Sequence, residues 1–185
     1  HERNTNETKI SVTVNLDAPN PTQISTGIGF FDHMLEQLSK HAGIALQLSC
    51  LGDTHIDEHH TVEDCGIAIG QALKKALGDK FGISRYGFSI PMDEASAEVL
   101  MDISNRGYFQ FNGSFPREAV GALPTELIPH FFQSLSEAAG FTVHMSVRGE
   151  NTHHMIEACF KAFARVLKQA VAQTGNSLPS TKGVL

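Results

Sequence analysis

Five stretches of the chain alternate apolar and polar residues, which is the pattern of half-buried β-strands. The first stretch is the clearest, because Ile10, Val12, Val14 and Leu16 occupy every second position. The predicted strands span residues 8–17, 44–51, 94–104, 108–115 and 141–148. Residues 105–107 (Asn-Arg-Gly) are a turn signal between the third and the fourth strand.

Four other stretches carry apolar residues at the three-to-four-residue spacing of an amphipathic helix. They predict helices over residues 32–42, 58–77, 125–139 and 151–173, of which the second and the fourth are long. Gly43 and Gly78 directly follow the first two stretches, and glycine at this position is a helix-stop signal. The polar tail, residues 180–183, is predicted to have no regular structure.

The order strand, helix, strand, long helix occurs twice, and the two halves align with each other. Residues 33–52 match residues 130–149 without a gap. The loop that follows is three residues shorter in the second half, and the register then resumes at His59 and His153. We therefore predict an α+β fold with an internally duplicated domain, in which two similar halves each pack a β-sheet on helices. The predicted repeats are residues 1–92 and 93–185, packed as one compact unit.

The repeat preserves polar residues that can bind metal ions. The motif His59-His60-x-x-Glu63 recurs as His153-His154-x-x-Glu157, and each motif is preceded by another matched histidine. The potential ligands are His33, His59, His60, Glu63, His130, His153, His154 and Glu157. Imidazole and carboxylate ligands without a thiolate suit manganese, iron, cobalt or zinc.

Adjacent histidines on a helix point about 100° apart around its axis. One helix therefore cannot direct both of its histidines to the same ion. We predict two sites of four ligands, with each long helix contributing to both, and these sites either join the two halves or bridge copies of the chain. His41, His55 and His144 have no matched histidine, and we interpret His41 and His144 as packing or solvated residues.

The composition is that of a globular protein, with 41% hydrophobic and 18% charged residues. The net charge of -6 argues against a nucleic acid or an anionic membrane as the main partner. Three cysteines without CxxC spacing indicate neither a disulfide framework nor a thiolate zinc site, so a reducing cytoplasm is expected. The sequence has no apolar run long enough to span a bilayer and no signal-peptide core near its start. Because it begins at His1, we expect a trimmed chain or part of a longer polypeptide.

Basic and hydroxyl side chains in both halves could together bind an anion such as phosphate. They are Arg85, Arg106, Lys161, Ser180 and Lys182. Their spacing alone favours ordinary surface residues over an anion site.

Several motifs resemble those of one enzyme family along nearly the whole chain. They are TGIGFFDHML (26–35), DEHHTVED (57–64), PMDE (91–94), NTHHMIE (151–157), FKAF (160–163) and PSTKGVL (179–185). These motifs are similar to those of imidazoleglycerol-phosphate dehydratase of histidine biosynthesis. One segment departs from the family, because residues 104–107 are Ser-Asn-Arg-Gly where the family usually has Ser-Gly-Arg-Pro. The arginine is kept, so the departure concerns the shape of the turn.

The resemblance implies a duplicated fold of the ribosomal protein S5 domain 2-like type and a cytoplasmic homo-oligomer of 24 subunits. It implies a lyase that dehydrates D-erythro-imidazole glycerol phosphate to imidazole acetol phosphate, with two Mn2+ per active site between subunits. Carried over by position, the metal ligands are the same residues that the repeat singles out. The basic and hydroxyl residues would hold the substrate phosphate, and Glu7 and Gln37 would lie near its polyol.

The implied reaction removes a hydroxyl and a hydrogen from neighbouring carbons, and no carbonyl acidifies the C–H bond. We hypothesise that the metals favour a bound imidazolate form of the substrate, which expels the hydroxyl through a diazafulvene-like intermediate. Glu7 is the candidate for proton transfer, and Glu63 and Glu157 are counted with it as catalytic carboxylates. Two alternatives stay open: a metal-dependent phosphohydrolase, and a non-enzymatic assembly bridged by metal.

Overall fold

The computed structural model describes residues 1–88 and 91–185. The first half contains the strands β1 (Glu2–Asn4), β2 (Thr8–Asn15), β3 (Thr22–Ser25) and β4 (Ala45–Gly52), and the helices α1 (Gly29–Ala42) and α2 (His59–Leu77). The second half contains β5 (Tyr86–Phe88), β6 (Pro91–Met92), β7 (Ala95–Asp102), β8 (Tyr108–Asn112), β9 (Ala119–Val120), β10 (Leu123–Pro124) and β11 (Thr142–Arg148), and the helices α3 (Leu127–Ala139) and α4 (Thr152–Val171).

Both halves build their sheets with the same pairing. In the first sheet, with the order β1-β2-β4-β3, β4 lies antiparallel to β2 and parallel to β3. In the second sheet, with the order β5-β7-β11-β8, β11 lies antiparallel to β7 and parallel to β8, and β6 also pairs with β7. The strands β7, β8 and β11 therefore take the places of β2, β3 and β4. The predicted α+β fold with an internal duplication is confirmed.

The helices of the two halves pack against each other. α1 and α2 pack on the first sheet and α3 and α4 on the second, while α2 contacts α3 and α1 contacts α4. Phe31 of α1 lies edge-to-face with Phe131 of α3 at 5.3 Å between ring centroids, and Phe131 stacks on Phe160 of α4 at 5.4 Å. All three rings are fully buried, and burial of each contributes about 1.5–3 kcal/mol. The halves therefore share one hydrophobic core.

Two glycines let α2 approach α3 closely. A Cβ atom on Gly66 would lie 2.8 Å from a carbonyl oxygen of α3, and one on Gly70 would lie 2.4 Å from the carbonyl oxygen of Leu135. Both distances are shorter than van der Waals contact, so only glycine permits this separation of the two helices. The close approach brings the first turns of α2, with Glu63, beside His130 near the start of α3.

The predicted helices and the longer strands are present, with shifted ends. α1 begins at Gly29, three residues before its predicted start, and it ends before Gly43, whose φ of 70° is the left-handed conformation of a glycine stop. The turn at residues 105–107 does not form a hairpin, because β11 lies between β7 and β8.

The short strands β1, β3, β6, β9 and β10 were not predicted, because each has too few alternating residues to show a period. Residues 180–183 contain no helix or strand, as predicted. The division between the repeats after residue 92 stays a prediction. In the two described ranges, no helix is both long and apolar enough to cross a membrane.

Candidate metal-binding active site

Six of the predicted metal ligands form two groups of three. The first group is His59 and Glu63 from α2 with His130 from α3, and the second group is His153 and Glu157 from α4 with His33 from α1. In each group, one ligand atom of each residue lies within 4.8 Å of the others. Each group therefore takes a histidine and a glutamate from the long helix of one half and a histidine from the shorter helix of the other half.

Side-chain hydrogen bonds from the residues before each long helix support its first turn, where the paired ligands lie. The Oδ1 atom of Asp57 accepts a hydrogen bond from the backbone N–H of His59 at 2.8 Å. The Oδ1 atom of Asn151 accepts from the N–H groups of His153 and His154 at 2.9 and 3.4 Å. These bonds satisfy N–H groups that a helix leaves unpaired at its start. The four-residue helical spacing then sets each histidine beside its glutamate.

The first group surrounds the carboxylate of Glu63. The Nε2 atom of His59 lies 3.8 Å from Oε2, and the Nε2 atom of His130 lies 3.4 Å from Oε1. The rings of the two histidines are 4.8 Å apart. The Nε2 atom of His130 is buried and has no hydrogen-bond partner within residues 1–88 and 91–185. A buried imidazole nitrogen without a partner, beside a carboxylate, is suited to bind a cation.

The second group surrounds Glu157, which also contacts a lysine. The Nε2 atom of His153 lies 3.4 Å from Oε2, and the rings of His153 and His33 are 6.4 Å apart. The Nζ atom of Lys161 lies 2.6 Å from Oε1 of the same carboxylate. Burial opposes the charge of Glu157, but the hydrogen bond and charge of Lys161, with the nearby histidines, lower its pKa below the ordinary value. The second group thus differs from the first because its carboxylate already contacts a cation, the ammonium group of Lys161.

The two remaining predicted ligands, His60 and His154, belong to neither group and contact other carboxylates. The ring of His60 lies at 82° to that of the preceding histidine and the ring of His154 at 90°, with 6.1 Å between ring centroids in both pairs. The Nδ1 atom of His60 lies 3.0 Å from Asp53, and that of His154 lies 2.9 Å from Glu94. These hydrogen bonds raise the pKa of His60 and of His154, and the same contact with His154 lowers the pKa of Glu94. We call His60 and His154 the outward histidines.

Glu7 lies beside one of the outward histidines. Its Oε1 atom is 3.6 Å from Nε2 of His60, and its side chain is half exposed. The Oγ1 atom of Thr5 accepts the backbone N–H of Glu7 at 3.1 Å, and Arg3 binds the nearly buried Asp64 of α2 at 2.8 Å. The contacts of Thr5 and Arg3 hold the segment between β1 and β2 against α2, which keeps Glu7 close to His60.

Gln37 lies on the side of the second group, one turn after His33 on α1. Its Oε1 atom is 3.1 Å from Nε2 of His41. Burial lowers the pKa of His41, and nearby cations, led by Lys161, lower it further. His41 is therefore a partly buried histidine that packs beside a predicted substrate residue.

A basic cluster lies around Asp102 at the end of β7. The Nε and Nη2 atoms of Arg85 lie 2.5 and 2.9 Å from the two oxygens of Asp102, which is a bidentate pair that raises the pKa of Arg85. Arg106 approaches the same carboxylate at 3.8 Å and keeps 65% of its side chain exposed. The Nη1 atom of Arg85 donates to the carbonyl oxygen of Pro179 at 2.8 Å, which holds the C-terminal tail next to the cluster.

The predicted phosphate residues are divided between two places. Arg85 and Arg106 belong to the basic cluster, and the attached tail carries Ser180 and Lys182, whose backbone N–H donates to the Ser180 Oγ atom at 3.2 Å. Lys161 lies instead beside the second metal group. Across the described parts of the chain, no hydrogen bond or ion pair joins the basic cluster to either metal group. One chain therefore does not bring all predicted site residues together.

Sequence reasoning missed Asp53 and Glu94, the partners of the outward histidines. Asp53 lies in the loop that is three residues longer in the first half, where the alignment of the two halves is interrupted. Glu94 lies before the aligned segment of the second half. No common spacing marks these residues as partners, because Asp53 lies 7 residues from His60 and Glu94 lies 60 residues from His154.

Comparison with known proteins identifies the family. The family model described as imidazoleglycerol-phosphate dehydratase matches residues 26–167. The chain belongs to the imidazoleglycerol-phosphate dehydratase family. The match includes both metal groups and the basic cluster, but neither Glu7 nor the tail. The family predicted from the sequence motifs is confirmed.

Relatives in the dehydratase family include longer proteins. The histidine biosynthesis bifunctional protein HisB of Stenotrophomonas maltophilia is 59% identical over 184 residues, which are 100% of this chain and 52% of that protein. The protein of the same name from Xylella fastidiosa is 54% identical over 202 residues, covering 100% of this chain and 54% of that protein. The chain thus spans about half the length of these curated relatives.

Solved structures of dehydratases share the fold over nearly the whole chain. The crystal structure of imidazoleglycerol-phosphate dehydratase from Staphylococcus aureus is 43% identical with a TM-score of 0.84, covering 94% of this chain and 98% of that one. The Pyrococcus furiosus dehydratase is 33% identical with a TM-score of 0.87, covering 100% of both chains. The dehydratase fold therefore includes the N-terminal segment with Glu7 and the C-terminal tail.

Proposed function

We propose that the chain is a hydro-lyase that dehydrates imidazoleglycerol phosphate to imidazole acetol phosphate in histidine biosynthesis. The observation that carries this proposal is the pair of equivalent His-Glu-His groups in a chain of the dehydratase family. Removal of a hydroxyl next to an imidazole is favoured by a Lewis acid near that imidazole and by a group that moves the proton of the neighbouring carbon. The chain offers candidates for both tasks.

The residues of the two groups fit divalent metal ions. Two imidazoles and one carboxylate in each group are suitable ligands for Mn2+, and the buried Nε2 atom of His130 has no hydrogen-bond partner in the described part of the chain. We assign two Mn2+ per active site to the groups and the outward histidines. The proposed ligands are His33, His59, His60, Glu63, His130, His153, His154 and Glu157. Bound there, the ions supply the Lewis acidity that favours the deprotonated imidazole of the substrate.

A homo-oligomer would complete both metal sites. Each group has three ligands from one chain, and the outward histidines are not part of the group on their own helix. An outward histidine can therefore serve as the fourth ligand of a group in a neighbouring copy. We propose an assembly of 24 subunits in which metal bridges the copies, as the family resemblance implies. The same assembly would bring the basic cluster of one copy to the metal groups of another.

The basic cluster is the proposed phosphate site. Asp102 and Pro179 engage three N–H groups of Arg85, and a guanidinium has five. Arg106 is largely exposed, so its guanidinium can turn to an anion. With Lys161, Ser180 and Lys182, these side chains would bind the substrate phosphate, and this remote contact would orient the reacting carbons.

Glu7 is the proposed proton-transfer group. Its carboxylate lies 3.6 Å from Nε2 of His60, so it would reach a substrate bound at an ion that His60 holds. Glu63 and Glu157 would keep the ions in place, and Gln37 would donate its amide N–H to a polyol hydroxyl. We also propose a reducing cytoplasm as the location, which the three free, buried cysteines support.

The direct test is a turnover assay with the purified protein. With Mn2+ and imidazoleglycerol phosphate, we expect the ketone product to form, and a chelator should abolish its formation. Release of inorganic phosphate instead would identify a phosphohydrolase, and a metal-loaded assembly that converts nothing would exclude an enzyme of either kind. In light scattering, chelation and the His60→Ala substitution should each reduce the particle size. An unchanged large particle in both cases would contradict bridging by metal.

A further inference from the structure

Glu94 occupies in the second half the place that Glu7 occupies in the first. Each glutamate directly precedes the strand that lies antiparallel to the central strand of its sheet, β2 in one half and β7 in the other. The pairing registers of these strands coincide when Gly52 is matched with Gly149. Both glutamates also face an outward histidine. The duplication thus extends to these carboxylates, although the sequence alignment does not reach them.

The two glutamates contact different nitrogens of their histidines. Glu94 lies 2.9 Å from Nδ1 of His154, whereas Glu7 lies 3.6 Å from Nε2 of His60. At His60 the Nδ1 atom is held by Asp53, at 3.0 Å. Asp53 belongs to the loop that is three residues longer in the first half. The longer loop therefore supplies at His60 the contact that Glu94 supplies at His154.

We propose that Asp53 and Glu94 are positioning residues that orient His60 and His154 for metal binding, and that Asp53 thereby releases Glu7 for the reaction. A carboxylate at Nδ1 selects the tautomer with hydrogen on that nitrogen, which leaves the Nε2 lone pair free for an ion. The inference rests on the proposed function, because it takes the outward histidines as metal ligands. Asp53 has a 13% exposed side chain and Glu94 a 37% exposed one, so the larger effect belongs to Asp53.

The test compares Mn2+ affinities of variants by competition with a chelator. Asp53→Asn and Glu94→Gln keep the size of each side chain and remove its charge, and we expect each to weaken Mn2+ binding by about 10–100-fold. Glu150→Gln is the matched control, because Glu150 lines the same cavity as Glu94 and His154 and the substitution removes the same charge. Its Mn2+ affinity should equal that of the wild type. Glu7→Gln should also keep the wild-type affinity while kcat falls.

A second measurement separates orientation of the histidine from general damage. In a His154→Ala background, Glu94→Gln should weaken Mn2+ binding no further, since the ring that Glu94 orients is gone. Far-UV circular dichroism of each variant reports whether it is folded. The inference would be overturned if Asp53→Asn and Glu94→Gln bound Mn2+ with wild-type affinity. It would also be overturned if Glu94→Gln weakened Mn2+ binding as much in the His154→Ala background as in the wild type. A wild-type protein that takes up no Mn2+ would overturn the proposed function and this inference with it.

Discussion

Replacement of Gly70 by alanine tests whether the close contact of α2 with α3 joins the two halves. The new Cβ atom would lie 2.4 Å from the carbonyl oxygen of Leu135, 2.9 Å from Cβ of Ala138 and 3.0 Å from the nitrogen of Ala139. To lengthen the shortest contact from 2.4 to 3.0 Å, the helices must separate by about 0.6 Å. Overpacking of this kind costs about 1–3 kcal/mol, and alanine in a helix gains about 1 kcal/mol over glycine. Because backbone atoms cannot rotate away, we take the upper part of this range, about 2–3 kcal/mol, which leaves a net loss of about 1–2 kcal/mol in the free energy of unfolding.

The measurement is thermal unfolding of chelator-treated protein, followed by far-UV circular dichroism at one protein concentration. In a chain of this size, 1 kcal/mol corresponds to about 2–4 °C, so Tm should fall by about 2–8 °C. Gly29→Ala is the control, because a Cβ atom there would meet no atom within 4 Å, and its Tm should equal that of the wild type or exceed it by up to about 4 °C. A Gly70→Ala variant that melts at or above the wild-type temperature would refute the argument from close contact.

Three further substitutions test the N-terminal segment that carries Glu7, the first metal group and the proposed phosphate site. Arg3→Ala leaves the nearly buried Asp64 without its cation, so the free energy of unfolding in urea should fall by about 1–2 kcal/mol; an unchanged urea midpoint would count against it. His130→Ala should reduce the Mn2+ content per chain to about half, since one of two groups is lost. The control His144→Ala should leave the Mn2+ content unchanged. Equal Mn2+ contents in the two variants would contradict the assignment of His130 as a metal ligand. Arg85→Lys loses the bidentate contact, so kcat/KM should fall by roughly 10–100-fold, and wild-type kcat/KM would exclude a role for the fork.

The sequence predicted those parts of the fold that repeat over several turns or several strand residues. α2 and α4 are amphipathic helices of 19 and 20 residues, so their period is clear. β3 has four residues, of which only the partly buried Ile24 is apolar, so its place at the sheet edge depends on pairing with β4. The order of β7, β11 and β8 also depends on packing, because neighbours in sequence are not neighbours in the sheet.

For the candidate site, the divergence of adjacent histidines followed from helix geometry alone. Helix geometry alone did not predict that each group takes its third ligand from the other half, because His130 reaches Glu63 only through the close contact of α2 with α3. The carboxylates Asp53 and Glu94 were also outside the reach of sequence reasoning. They lie 7 and 60 residues from the histidines that they contact, and no common spacing marks them as partners.

The central claim is that two metal ions bind where the two halves meet and are completed by a second copy of the chain. Crystals of the Mn2+-loaded protein, measured for anomalous scattering from manganese, test it most directly. We predict one peak at His59, Glu63 and His130 and one at His33, His153 and Glu157, each also in contact with His60 or His154 of a neighbouring copy. Peaks away from these groups, or ions whose protein ligands all come from one chain, would contradict the account.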